Sequence, residues 1–193
     1  IQPRTEFLGY TETESHGTIV AILGPDGPLE QAEAGQQVEV VLDKTPFYGE
    51  SGGQVGDSGD LYTEAGHVNV DDTRKPAPDL FVHRGTVEEG FIRVGEPVHA
   101  KIDSERRMQI RRNHTATHLL HKALRTVLGE DVHQAGSLVA PDRLRFDFTT
   151  MDAPQPKQLA SIVRIVNNEV ARDTGVDTAV MDQQEAVASG AMA

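Results

Sequence analysis

The sequence contains no cysteine and no tryptophan, and aromatic residues make up only 5% of its 193 positions. The first absence excludes a disulfide framework and removes thiolates from the metal ligands the chain can offer. No apolar run approaches the length of a membrane span, and the opening Ile1-Gln2-Pro3-Arg4 has neither the charged nor the apolar region of a secretory leader. These absences predict a soluble, cytoplasmic polypeptide with no membrane partner. Basic charge is also scarce: 18 Lys and Arg stand against 30 Asp and Glu, a formal net charge of −12. That balance argues against a broadly basic nucleic-acid binder. Any contact with RNA must then be local. Arg106, Arg107, Arg111 and Arg112 form the one compact basic cluster, either a phosphate contact or an ordinary solvated helix face.

What is present divides into two grammars. From Thr18 to about Asp103 the chain reads as short strands, at Thr18 to Leu23, Gln37 to Leu42, His67 to Val70, Phe91 to Val94 and Val98 to Ile102. Turns such as Gly24-Pro25-Asp26-Gly27 separate them, and several short strands at this spacing predict a small barrel. After Ile102 a long helical pattern runs from Glu105 to Leu128, followed by a hairpin through Ser137 to Val139 and Leu144 to Phe148, with Pro141-Asp142 in its turn. A second helix enters at Pro156 and is stopped by Thr174-Gly175. Val176 to Val180 then reads as a strand, and Asp182 with Glu185 as a capping box that opens a last helix. The fold class is thus α+β, with a boundary near Asp103-Ser104.

The long helix carries the strongest chemical signal. Within Asn113-His114-Thr115-Ala116-Thr117-His118, two histidines four residues apart point the same way and can grip one metal ion. Met108, Ala116, Leu119, Leu120, Ala123, Leu124 and Val127 recur at helical period, which places His114, His118 and His121 together on the other side. A solvated face with chance histidines is the competing reading. A zinc site needs three or four ligands, so another His, an Asp or Glu, water or an outside residue must complete it. His121 is the nearest candidate, though three ligands on one straight helix surround an ion poorly. The metalloprotease pattern H-E-x-x-H is broken, because Thr115 stands where its glutamate general base would be.

The second unusual stretch, Thr45-Pro46-Phe47-Tyr48-Gly49-Glu50-Ser51-Gly52-Gly53-Gln54-Val55-Gly56-Asp57-Ser58-Gly59, is too dense in glycine for a simple turn. It lacks the order and the lysine of a phosphate loop. Either it is a structural connection in the barrel, or its glycines let another chain or ligand come close and make it a pocket wall.

Together these stretches resemble the alanyl-tRNA synthetase family, in the region running from its β-barrel domain into its editing domain. The landmarks are Arg4 to Tyr10, Thr45 to Tyr48 leading to Glu50 to Asp57, Arg112 to His121, Gln134 to Val139, and Arg143 to Phe148. Free-standing editing proteins share the barrel and the histidine pair, and threonyl-tRNA synthetases share the pair on a similar fold. The resemblance implies a β-barrel domain at residues 1–103 and, at 104–193, the N-terminal part of an α/β two-layer editing domain, truncated. It implies a fragment of an enzyme that ligates alanine to its tRNA with ATP. The editing region would hydrolyse the ester linking serine or glycine to the 3′-terminal adenosine of tRNA-Ala. An oligomeric parent enzyme is compatible with the family.

In the family's pattern His114 and His118 hold zinc together with a Cys-x-x-x-His pair, here expected beyond Ala193, so the fragment itself is expected to bind zinc weakly and to be inactive. Thr117 and Gln134 resemble residues of the editing pocket, where a hydroxyl and an amide would bond the substrate's serine hydroxyl. On the residues alone, Thr117 reads as a back-bonded helix hydroxyl and Gln134 as a surface loop residue. The alternatives are a trans-editing protein, a tRNA-positioning module without catalysis, and an unrelated metal hydrolase using a carboxylate as third ligand.

Overall fold

The computed structural model describes residues 4–177, 179 and 181–190. Its first half holds ten strands: β1 (Glu6–Phe7), β2 (Glu14–Gly24), β3 (Gly27–Leu29), β4 (Gln31–Glu33), β5 (Gln37–Leu42), β6 (Lys44–Thr45), β7 (Gly59–Tyr62), β8 (Gly66–Ala77), β9 (Leu80–Arg93) and β10 (Pro97–Ile102). Six of them close into an antiparallel barrel in the order β2, β5, β9, β8, β7, β10 and back to β2. The closure is made by β10, where Lys101 pairs with Glu14 of β2 on one side and with Asp60 of β7 on the other. No edge of the barrel is then left to template pairing with another chain.

The expected barrel is therefore present, with longer strands than the residue pattern predicts. His67 to Val70 lies near the start of β8, and Phe91 to Arg93 closes β9, most of which the pattern does not mark. These two strands form one long hairpin turned at Pro78 and Asp79, with Asp79 at φ 58°. β7 begins inside the glycine-rich stretch, which conceals it.

Alternation along β5 sends Val38, Val40 and Leu42 inward, where they meet Ile19, Ile22, Leu61, Val68, Val70, Val87, Ile92, Val98 and Ala100. Aliphatic side chains fill this core almost alone, as the low aromatic content requires. Phe47 is the exception. Fully buried in the same cluster, it pins the start of the glycine-rich stretch to the barrel, and its truncation to alanine is worth about 3 to 5 kcal/mol by analogy with other buried aromatics.

The second half comprises α1 (Ser104–Leu128), β11 (Gln134–Val139), β12 (Leu144–Phe148), α2 (Pro156–Arg172) and the short α3 (Gln183–Ala188). The hairpin β11–β12 and both longer helices follow the sequence pattern. α2 opens on Pro156 with a capping box of Gln155 and Gln158, and ends where Asp173 turns left-handed at φ 49°. The Asp182 side chain caps α3 through the Gln184 amide. The expected strand from Val176 to Val180 is not formed at Val176, Asp177 or Ala179, and its Thr178 and Val180 lie outside the described residues.

A second core joins Ala123, Leu124, Val132 and Ile162, with Leu120, Val127, Phe146, Phe148 and Val166 packed around them. It holds α1, α2 and the hairpin together. Among the described residues, no helix is long and apolar enough to cross a membrane.

Candidate functional site

Helix α1 starts where Asp103 accepts a hydrogen bond from the Arg106 amide at 2.9 Å and ends at Gly129, whose φ of 116° suits glycine. Its two halves face different neighbours. The first half lies against the barrel's glycine-rich segment, the second against α2 and the hairpin. This division explains a correction to the helical-face expectation. His121 does not share the outer face with His114 and His118; it is 8% exposed and packs on Phe146 at a ring distance of 5.0 Å. Met108, expected inside, is exposed, while Ile110 is fully buried. A single apolar arc cannot describe a helix whose buried side changes along its length.

The arginine cluster is also divided. Arg107 reaches into the barrel side, donating to both carboxylate oxygens of Asp57 at 2.9 and 3.0 Å and to the carbonyls of Gly9 and Pro46 at 2.9 and 2.8 Å. Arg106 donates to the Gly56 carbonyl at 2.7 Å. These two arginines are structural clamps, which leaves Arg111 and Arg112 as the exposed pair.

One turn further, the two expected metal ligands come together. The Nε2 atoms of His114 and His118 stand 3.1 Å apart, with ring centroids at 5.0 Å and an interplanar angle of 30°. Two nitrogens bound tetrahedrally to one zinc would lie about 3.3 Å apart, given bonds of roughly 2.0 to 2.1 Å. The pair therefore fits half of a zinc site. His114 is tied at its other nitrogen, where Nδ1 meets Gln54 Oε1 at 2.6 Å. Loss of water around the ring, and then the neighbouring His118, push the His114 pKa below the usual histidine value. That shift favours the neutral ring, the state in which an imidazole can ligate.

Among the described residues, no group of three or more His, Cys, Asp or Glu is arranged to hold a metal. His121 is not grouped with the pair among the described residues. Its Nε2 is buried without a partner, on the side of α1 that meets Phe146.

Thr117 is 6% exposed, and its hydroxyl donates to the Asn113 carbonyl at 2.8 Å, the back-bonded arrangement open to any helix threonine. Its oxygen can still accept. Gln134 is exposed at the first position of β11, opposite Phe148. That strand runs alongside α1: its far end is held where Asn113 Nδ2 donates to the Ala140 carbonyl at 2.7 Å, and its near end approaches His121 through Val132. Among the described residues, neither Gln134 nor Thr117 bonds to the histidine pair.

The glycine-rich segment forms the other side. The turn Ser51 to Gln54 is closed by reciprocal backbone bonds at 3.0 and 3.2 Å, with Gly52 and Gly53 at φ 59° and 84°, a shape that favours glycine at both central positions. Val55 and Gly53 then bond the backbone of Val139 at 3.1 and 2.8 Å. The segment is a wall shared by barrel and helix. Its glycine density marks it in the sequence, but nothing local in it points to Gln54 or to a partner sixty positions away.

Residues 1–106 match the family model described as tRNA synthetases class II (A), more than half of the chain. The chain belongs to this family. Among class II synthetases with curated sequences, it is 51% identical over 191 residues to the alanine–tRNA ligase of Roseiflexus sp. (strain RS-1), covering 99% of this chain and 21% of that protein. The alanine–tRNA ligase of Thermus thermophilus is 51% identical over 189 residues, 98% of this chain and 21% of the relative. That of Acetivibrio thermocellus is 50% identical over 190 residues, 98% of this chain and 22% of the relative. The chain spans about a fifth of the length of the curated relatives it matches. Membership agrees with the family resemblance read from the residues.

Proposed function

We propose that this chain contributes an editing site for mischarged tRNA to an alanine–tRNA ligase. The facing Nε2 atoms of His114 and His118, 3.1 Å apart on α1, carry the reading, and the half-identity to alanine–tRNA ligases over nearly all of the chain supports it. The whole protein would then ligate alanine to tRNA-Ala with ATP in the cytoplasm.

At the editing site His114 and His118 are two ligands of a zinc ion, and the family pattern supplies a cysteine and a histidine for the other two. When bound, zinc offers a positive centre that holds the amino group of the esterified amino acid or polarises a water. Positioning is the favoured role, since Thr115 leaves the helix without a glutamate base. Thr117 and Gln134 recognise the substrate. With its own proton committed to the Asn113 carbonyl, the Thr117 oxygen can only accept, so it suits the hydroxyl proton of serine, which alanine lacks. The exposed amide of Gln134 can bond the same hydroxyl or the ester carbonyl. Arg111 and Arg112 remain to meet acceptor-end phosphates despite the acidic whole.

The test is hydrolysis of Ser-tRNA(Ala) and Gly-tRNA(Ala) by the intact protein. His118→Ala should abolish both reactions and leave alanine charging in place. Gln134→Leu should slow serine release by about ten- to a hundredfold, the loss of a hydrogen bond to the substrate worth roughly 1 to 3 kcal/mol, and glycine release less. Equal slowing of the two substrates would refute hydroxyl recognition, and full hydrolysis without His118 would refute the site.

A further inference from the structure

The contact between His114 and Gln54 joins two residues sixty positions apart, and neither chemistry nor packing requires it of an exposed helix histidine. Gln54 is brought there by a closed circuit of bonds. Asn113 Nδ2 holds the end of β11 through the carbonyls of Ala140 and Pro141 at 2.7 and 3.2 Å. Val139, next to it, pairs with Gly53 and Val55. Between those two lies Gln54, itself 8% exposed, and its Oε1 returns to His114 Nδ1 at 2.6 Å. His114 directly follows Asn113, where the circuit began.

The backbone leaves little room for another path. A side chain at Gly53 would place its Cβ 2.5 Å from the Ser137 carbonyl oxygen, so the loop can lie this close to β11 only with glycine there. Once held, the Gln54 amide is mostly buried and must find a partner. A side-chain carbonyl can only accept, so the hydrogen lies on His114 Nδ1. An imidazole with no such partner shares its proton between both nitrogens; one bound at Nδ1 keeps Nε2 bare.

We propose that Gln54 is a positioning residue for His114: the barrel's glycine-rich loop fixes the ring's tautomer and angle, and thereby turns its bare Nε2 toward His118 and the metal. The inference rests on the metal reading given above and adds to it a role for the barrel. Without metal, His118 Nε2–H donates into that bare nitrogen across the 3.1 Å gap. For both Nε2 atoms to hold a metal, the His118 proton would have to sit on Nδ1, as Gln54 already arranges for His114. Outer partners of this kind change metal affinity by roughly ten- to a hundredfold.

The test uses the 193-residue chain for NMR and the intact protein for zinc titration, each with its Gln54→Leu, Gln54→Glu and His114→Ala variants. Nitrogen-resolved NMR of the metal-free chain should show His114 protonated at Nδ1 alone, and Gln54→Leu should spread the proton over both nitrogens. Zinc affinity should fall about ten- to a hundredfold in Gln54→Leu, while Gln54→Glu, which keeps an acceptor oxygen, stays within a few fold of the original. A role in packing alone predicts the reverse order, because a buried carboxylate disrupts a core more than leucine does. Unchanged tautomer and affinity in Gln54→Leu, with zinc lost in His114→Ala, would overturn the assignment of Gln54 only. No saturable zinc on the unsubstituted intact protein would overturn the metal reading and the inference with it.

Discussion

Inside the barrel His83 is fully buried with both ring nitrogens engaged. Nδ1 donates to the Val40 carbonyl at 2.9 Å, and Nε2 accepts from Thr45 Oγ1 at 2.7 Å, which in turn accepts from the Phe47 amide at 3.1 Å. A second ring proton would be accepted only if the Thr45 hydroxyl turned its own proton elsewhere. Burial accordingly pushes the His83 pKa from 6.5 down to about 4, the Val40 bond opposing only in part. The sign follows from linkage: as pH falls below 6.5 the unfolded chain takes up the proton and the native chain resists until about 4, so stability is lost across that window. At pH 5 the loss from this residue is about 2 kcal/mol. Urea unfolding at pH 7 and pH 5 should show the original chain losing that much more stability than His83→Gln. Equal losses would mean the native histidine titrates normally. Nothing in the sequence around His83 signals this role, because its partners Val40 and Thr45 lie on other strands.

At the scale of elements, the helices and the hairpin were legible because their signals are local. Pro156 opens α2, and Asp182 caps α3, with no reference to the rest of the chain. The histidine pair was legible for the same reason, four residues on one helix fixing two side chains together. β7 and the first part of β9 were not. Gly59-Asp60-Leu61-Tyr62 is strand only because β8 and β10 flank it, and β9 carries His83, Arg84, Glu88 and Glu89 among its apolar residues. His121 was misplaced because α1 has two partners in succession. The glycine-rich loop shows the limit most clearly: its glycines announced a close approach, and its partner β11 could not be read from them. Gly53→Ala should push this loop away from Ser137 and strain a backbone at φ 84°, costing roughly 1 to 3 kcal/mol locally. Amide exchange at Val139, whose N–H donates to the Gly53 carbonyl, should quicken about ten- to a hundredfold. An unchanged rate would show that the loop and strand are held by other contacts.

For the whole molecule, barrel and helical half are joined by charge as well as by the loop. Asp57 is 1% exposed and binds Arg107 and the Tyr48 amide. Arg107→Met would leave that carboxylate buried without its cation, a change worth about 3 to 5 kcal/mol. Its denaturation midpoint should drop accordingly, and Asp57→Asn added to it should recover part of the loss. If the single variant is as stable as the original, the two halves do not depend on this pair. A barrel of residues 1–103 separated from the helix would carry Asp57 without Arg107. The joined halves matter because they bring a loop of the barrel to the histidine helix, and the proposed editing site depends on that helix holding a metal. Its decisive check is the zinc content of the intact protein, purified without chelators. One zinc per chain in the original and none in the His114→Ala, His118→Ala double variant is the predicted result. A full complement of zinc in the double variant would contradict the proposed site.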